Sequence, residues 1–239
     1  MFMLTRITRL AVVTMCAAIG LAAGHATAAP AEGPNPVLVI GGFDADRAKL
    51  ESLRAWLGAR GYSAHSMMLL GSPTGTAAIS DSARAVADRV AAIRRETGSV
   101  RVDLVGHSMG GLAQRHYAKF LGGSDQIGTY VDYGTPELGE QLGWLCYVLY
   151  AGCRDLVPGS PFLAQLNADP AIPPGMPAYH LFTEDAGGEK NPLPGATNRS
   201  IQSFCPGRQV GHADEPIDAA VRELIDSALR GGPLATSCP

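Results

Sequence analysis

The chain has 239 residues, a formal net charge of −3, 46% hydrophobic and 17% charged residues. That is too apolar for a disordered chain, and it lacks the basic excess of a protein that neutralises nucleic-acid phosphates. No tract repeats at a fixed period, which excludes solenoids and propellers, and the length suits one α/β domain with a full core.

Residues 1–28 read as a secretory signal peptide. Arg6 and Arg9 give a positive start, Leu10 to Ala23 is apolar, and Ala26-Thr27-Ala28 is a small-x-small cleavage site. The apolar run is short for a membrane span of about 20 residues. Cleavage near Ala28 leaves residues 29–239 as a single domain and implies a secreted protein. Cys16 lies in the leader, so Cys146, Cys153, Cys205 and Cys238 remain. Four cysteines in an oxidising compartment imply two disulfides, and three pairings are open. A Cys146–Cys153 pair would close a short loop, and a Cys205–Cys238 pair would fasten the C-terminus. No CxxC or His/Cys cluster points to zinc, and no cofactor or metal is expected.

Strands and helices alternate along the rest. Val37 to Ile40 is a short apolar run ending in Gly41-Gly42, as buried parallel strands do. Leu50, Leu53 and Leu57 recur at helical spacing, Gly61 stops that helix, and Tyr62 to Leu70 reads as the next strand. Ala83, Val86, Val90 and Ile93 mark a helix that begins near Ser80 or Asp81 and stops at Gly98. Val100 to Val105 is a strand, Leu112 to Leu121 a helix, and Ile127 to Tyr133 a strand. Tyr179 to Thr183 and Ile201 to Phe204 are further strands. A last helix is expected from about Asp214, with Ile217, Val221, Leu224 and Ala228 on one stripe. This alternation predicts an α/β fold, a mostly parallel sheet with helices on both faces and little or no cap.

Residues 106–111, Gly-His-Ser-Met-Gly-Gly, contain G-x-S-x-G between a strand and a helix. That is the setting of a nucleophile elbow, which projects the Ser108 hydroxyl out of the sheet above a helix N-terminus. A serine needs a base, and in this architecture the order is Ser, acid, His. His180 lies early in a strand and reads as structural. His212 follows the last strand, where the base belongs. The acid is expected just past the strand that ends near Phe182, and Asp185 is preferred to Glu184 and Glu189 as the residue that orients His212. Asp132, in a strand, and Asp155, in a loop, read as structural or surface residues. The backbone N–H groups of Met109 and Phe43 are the expected oxyanion donors, with Gly42 as an alternative to Phe43.

The sequence resembles small secreted bacterial lipases and esterases of the α/β-hydrolase superfamily, including the actinomycete type. The resemblance rests on residues 35–43 (NPVLVIGGF), 102–112 (VDLVGHSMGGL), 134–136 (GTP) and 210–212 (VGH). Many relatives carry His-Gly where this chain has Gly41-Gly42. The resemblance implies hydrolysis of carboxylic esters, usually acylglycerols, with Ser108 as nucleophile, His212 as base, and Phe43 and Met109 holding the oxyanion. The expected partner is a lipophilic ester, with transient contact at a lipid interface, no nucleic acid, and a monomeric enzyme. An acyltransferase or polyester hydrolase would use the same residues, and a hydrolase-like binding protein would leave them idle. Residues 143–152, GWLCYVLYAG, read either as a core helix or as an acyl-pocket wall or short lid.

Overall fold

The structure is a computed structural model and describes residues 33–239, so the proposed signal peptide lies outside the described residues. Six parallel strands form one sheet in the order β2-β1-β3-β4-β5-β6. They are β1 (Val37–Ile40), β2 (Ala64–Met67), β3 (Val102–His107), β4 (Ile127–Tyr133), β5 (Ala178–Phe182) and β6 (Thr197–Ser200). The helices are α1 (Arg47–Gly58), α2 (Ile79–Thr97), α3 (Met109–Phe120), α4 (Ala151–Leu156), α5 (Pro161–Asn167) and α6 (Ala219–Leu229).

Successive strand residues point to opposite faces, and both faces are covered, so β1 and β3 are buried throughout. Leu38, Ile40, Leu104 and Tyr130 pack with the stripes of α2 and α3. Val37, Val39, Val105 and Val131 face the other way and pack with α1 and α6. The strand order reverses between β1 and β3. Their carboxyl ends, Ile40 and Gly106, are paired across that switch point, which is where open parallel sheets place their ligand sites.

Several element boundaries differ from the sequence pattern. The strand expected over 62–70 is only Ala64–Met67, and the chain then turns so that Leu69 is buried while Leu70 is exposed. β3 starts at Val102, leaving Val100 exposed. The strand expected at Ile201–Phe204 lies one element earlier, and Ile201–Ser203 is a 3-10 turn. The last helix starts at Ala219, because Asp218 caps it by accepting from the Val221 N–H at 3.0 Å. The preceding residues His212–Ile217 form a separate 3-10 turn containing Pro216, and Ile217 is exposed. The cysteines pair as Cys146–Cys153 and Cys205–Cys238. No described helix is long and apolar enough to cross a membrane.

Residues 143–152 do not form a core helix. Gln141–Leu145 is a 3-10 turn, and Leu142, Trp144, Leu145, Val148 and Leu149 are exposed. The disulfide ties this segment to Cys153 on α4, whose Gly152 N–H donates to Thr76 O at 3.1 Å.

Candidate active site

Ser108 stands between β3 and α3 with φ 54° and ψ −127°. A non-glycine residue held there is strained by roughly 1–3 kcal/mol, and the surroundings must enforce it. They do so through close backbone approach. A Cβ at Gly110 would lie 2.7 Å from the carbonyl oxygens of Ile40 and Gly41, and one at Gly106 would lie 2.8 Å from the Gly111 nitrogen. The Ser108 N–H donates to Tyr133 O at 3.0 Å, which fastens the turn to β4. A Cβ at Gly42 would come within 2.7 Å of the Ser108 Cβ, so the loop after β1 lies directly against the nucleophile.

His212 Nε2 is 3.0 Å from Ser108 Oγ. Its Nδ1 is hydrogen-bonded to a carboxylate oxygen of Glu189, which is buried, while the imidazole itself is partly open to solvent. A serine hydroxyl, an imidazole and a buried carboxylate therefore form one relay. The Met109 N–H lies at the unsatisfied first turn of α3. The Phe43 N–H makes no protein hydrogen bond among the described residues. Phe43 and Ser108 line the same cavity.

Asp185, expected to orient the base, is committed elsewhere. Its carboxylate accepts from the Val210 N–H at 2.9 Å and from Gln202 Nε2 at 3.2 Å. Glu184 accepts from Ser200 Oγ at 2.7 Å. The loop after β5 runs on through Ala186-Gly187-Gly188 and folds back. Glu189 thereby returns to the end of β5, where the Thr183 N–H donates to its Oε2 at 3.3 Å and His180 Nε2 donates to its carbonyl at 3.0 Å. The glycine pair is the signal that could have marked this return. A Cβ at Gly188 would collide with Glu140 Oε2.

A second carboxyl that sequence reasoning missed also faces the base. Glu215 Oε2 is 3.6 Å from His212 Nδ1 and 3.1 Å from His107 Nε2. His107 stacks on His212 with ring centroids 4.6 Å apart. Burial, together with the neighbouring His212, lowers the His107 pKa to about 3, so His107 is neutral.

His180, read as structural, is buried beneath the acid loop. Its Nδ1 is 2.5 Å from Asp132 Oδ1. Burial alone would disfavour its charge, but Asp132, Glu137 and the Glu189 carbonyl outweigh burial and raise it to about 9. Glu137 also accepts from the buried Arg115, which reaches Asn167 at 2.7 Å. Asp132, Glu137 and His180 have ligand atoms close enough for a cation, as do His107, His212 and Glu215. In the first cluster His180 and Arg115 already supply positive charge. In the second, His212 is engaged by Ser108 and Glu189.

The serine opens into a cavity of about 670 Å³. Phe43, Pro136, Leu142, Leu145 and Leu156 give it mainly apolar walls, with Ser108, Glu189 and His212 at one side. The disulfide-tied segment 141–153 forms one of its walls.

No family model and no curated protein matches the sequence. Solved structures match the fold. Aspergillus fumigatus lipase B aligns with 84% of this chain at a TM-score of 0.69 and 16% identity, and the match covers 54% of its own length, about half. A mature Bacillus licheniformis lipase aligns with 72% of this chain at a TM-score of 0.53 and 16% identity, covering 86% of that protein. An alpha/beta hydrolase enzyme from a Mar Chica lagoon-sediment metagenome aligns with 83% of this chain at 0.52 and 14% identity, covering 90% of that protein. The parallel sheet, the elbow at its switch point and these likenesses agree: the chain has the α/β-hydrolase fold.

Proposed function

We propose that the protein is a serine hydrolase of lipophilic carboxylic esters, working through an acyl-enzyme on Ser108. The observation that carries this reading is the Ser108–His212–Glu189 relay at the side of an apolar cavity. His212 takes the Ser108 proton as Oγ attacks the ester carbonyl. The Met109 and Phe43 N–H groups receive the oxyanion, each such donor being worth about 3–4 kcal/mol in the transition state. His212 then gives the proton to the leaving alcohol, and water repeats the sequence on the acyl-enzyme. Glu189 holds the tautomer with the proton on Nδ1 and stabilises the imidazolium.

The neighbours named as lipases lend support to a lipolytic reading. The cavity's apolar walls favour an acyl chain, and the exposed side chains of residues 142–149 beside it favour contact with a lipid surface. The two disulfides support the reading of residues 1–28 as an export signal.

The test is hydrolysis of p-nitrophenyl esters of short to long acyl chains, and of a triacylglycerol emulsion, by wild type and Ser108→Ala. Turnover that vanishes in Ser108→Ala, with the folded state retained, is the expected result. A folded wild type that neither turns over these esters nor is labelled at Ser108 by a phosphonate overturns the proposal. Ester products formed with an added alcohol would move it to acyl transfer.

A further inference from the structure

The relay holds one more carboxyl than it needs. Glu189 and Glu215 are both buried and converge on one nitrogen, His212 Nδ1, which Glu189 hydrogen-bonds and which Glu215 Oε2 approaches to 3.6 Å. They come from different parts of the chain, one from the loop after β5 and the other from the 3-10 turn His212–Ile217. The close approach is made possible by Gly134, at φ +62°, where a Cβ would collide with Glu215 Oε2. Two carboxylates in contact without water repel, and such a pair keeps one proton between them.

Among the described residues, no lysine or arginine pairs with either carboxylate. From β3, His107 faces Glu215 and is neutral. From β4 comes Tyr133, a buried phenol whose pKa burial raises well above its ordinary value. Asp218, which caps α6, adds further negative charge. Lys49 on α1 binds Asp214 at 2.7 Å and the Ala213 carbonyl at 2.9 Å. Arg222 on α6 donates to the Pro216 carbonyl at 2.8 Å. His212 Nδ1 supplies one N–H, and Glu189 accepts it. Burial first, and then the charge and hydrogen bond of Glu189, push the Glu215 carboxyl well above its usual range.

We propose that Glu215 is a positioning residue of the relay, sharing one proton with Glu189 and able to replace it as the partner of His212 Nδ1. The inference rests on the proposed roles of Ser108 and His212. In the resting enzyme Glu215 carries the proton and donates to the Glu189 carboxylate, which accepts from His212 Nδ1–H. With Glu189 neutralised by substitution, its charge no longer opposes ionisation and the His212 Nδ1–H is freed as a partner that offsets burial, so Glu215 releases its proton to solvent and its oxygen, 3.6 Å away, closes on Nδ1.

Two signatures separate this role from a purely structural one, and both are read in Glu189→Gln. The first is infrared. The full protein at neutral pH shows the C=O stretch of a buried protonated carboxyl, and that component is lost in Glu215→Gln and also in Glu189→Gln, where Glu215 ionises. The second is kinetic. Glu189→Gln lowers kcat/KM by only about tenfold, whereas Glu189→Gln/Glu215→Gln loses on the order of 10,000-fold, the scale of a missing orienting acid. A Glu189→Gln loss as deep as the double variant's overturns the proposal. So does an infrared component that persists in Glu189→Gln. Should Glu215→Gln fail to fold, the Glu189→Gln spectrum decides alone. The infrared arm needs no ester turnover, and phosphonate labelling of Ser108 reports separately on the proposed activity.

Discussion

The Asp185 carboxylate accepts a hydrogen bond from the Val210 main-chain N–H at 2.9 Å, two residues ahead of His212. The same carboxylate meets Gln202 and the Thr183 hydroxyl, so it ties together the acid loop, the turn after β6 and the approach to the base. Removing it would leave the buried Val210 N–H without its acceptor, at a cost of about 1–3 kcal/mol. Asp185→Ala is therefore expected to lower the thermal midpoint by several degrees for that loss of stability. Turnover should fall by less than about tenfold, because the orienting carboxylate is untouched. Thermal unfolding together with ester kinetics checks both halves, and a loss as deep as that of His212→Ala would return Asp185 to the relay.

The elbow makes its own demand on backbone space. A methyl group at Gly110 meets two main-chain carbonyl oxygens that cannot move without shifting β1. Gly110→Ala is expected to destabilise by about 3 kcal/mol, at the upper end of ordinary overpacking, and to disable Ser108. Gly58, in the last turn of α1, has nothing within 4 Å of its Cβ position. Gly58→Ala is the matched control, expected to be neutral or stabilising by about 0.5–1 kcal/mol. Denaturant unfolding of the pair measures both.

These examples show which parts of the protein were legible in the sequence. β1, β3 and α3 could be read because buried parallel strands are continuous apolar runs, and because the glycines around Ser108 meet a need that is local in sequence. β6 could not, since its edge position lets it consist of Thr-Asn-Arg-Ser, with no apolar signal. The expected strand was drawn instead to Ile201, whose buried side chain belongs to a 3-10 turn. The expectation for His212 could be drawn from its place after the last strand. The contact of Glu189 with His212 could not, because the path from Thr183 to Glu189 is set by tertiary partners, His180 beneath it and Val210 beside it. Glu215 was hidden as an apparent first-turn acid of the last helix, a role that Pro216 and the Asp218 cap exclude.

His180 predicts a pH dependence of stability. Its folded-state pKa of about 9 lies above the ordinary 6.5, so the folded protein binds this proton more tightly than the unfolded chain does. The stabilisation is complete below about pH 6.5 and is lost as the pH rises through 9. The full effect is about 3 kcal/mol, because each tenfold tightening of proton binding contributes about 1.4 kcal/mol. Urea unfolding of the wild type across this window should show the decline. Titration of His180 by NMR identifies its source, and a midpoint near 6.5 would remove the prediction.

The two disulfides should separate in their effects. Chain entropy assigns about 2.5 kcal/mol to a loop as short as that of Cys146–Cys153 and nearly 4 kcal/mol to one as long as that of Cys205–Cys238, whose sequence separations are 7 and 33. Cys205→Ser/Cys238→Ser is expected to cost more stability and to leave kcat/KM for a dissolved ester within about twofold, as its bridge lies outside the cavity walls. Cys146→Ser/Cys153→Ser should cost less stability but raise KM for long acyl chains, because both cysteines line the cavity. Equal KM values in the two variants would show that the bridge does not shape the acyl site.

Val148 and Leu149 test the proposed contact with lipid. They are 88% and 72% exposed, lie on the disulfide-tied segment, and are absent from the cavity lining. Single exposed apolar residues are common, but here Trp144 and Leu145 are exposed on the same short stretch. Burying one such aliphatic side chain in an apolar phase is worth about 1.5–3 kcal/mol. Val148→Ser/Leu149→Ser should therefore weaken partitioning onto an emulsion on the order of a hundredfold, if both side chains are inserted. Turnover of the emulsion at low interfacial area should fall with it. Hydrolysis of a dissolved short-chain ester should stay unchanged, since neither residue touches the serine, the base or the acyl cavity. Equal activity of variant and wild type on the emulsion would mean that the exposed apolar stretch faces water during catalysis, and that substrate reaches Ser108 as dispersed molecules.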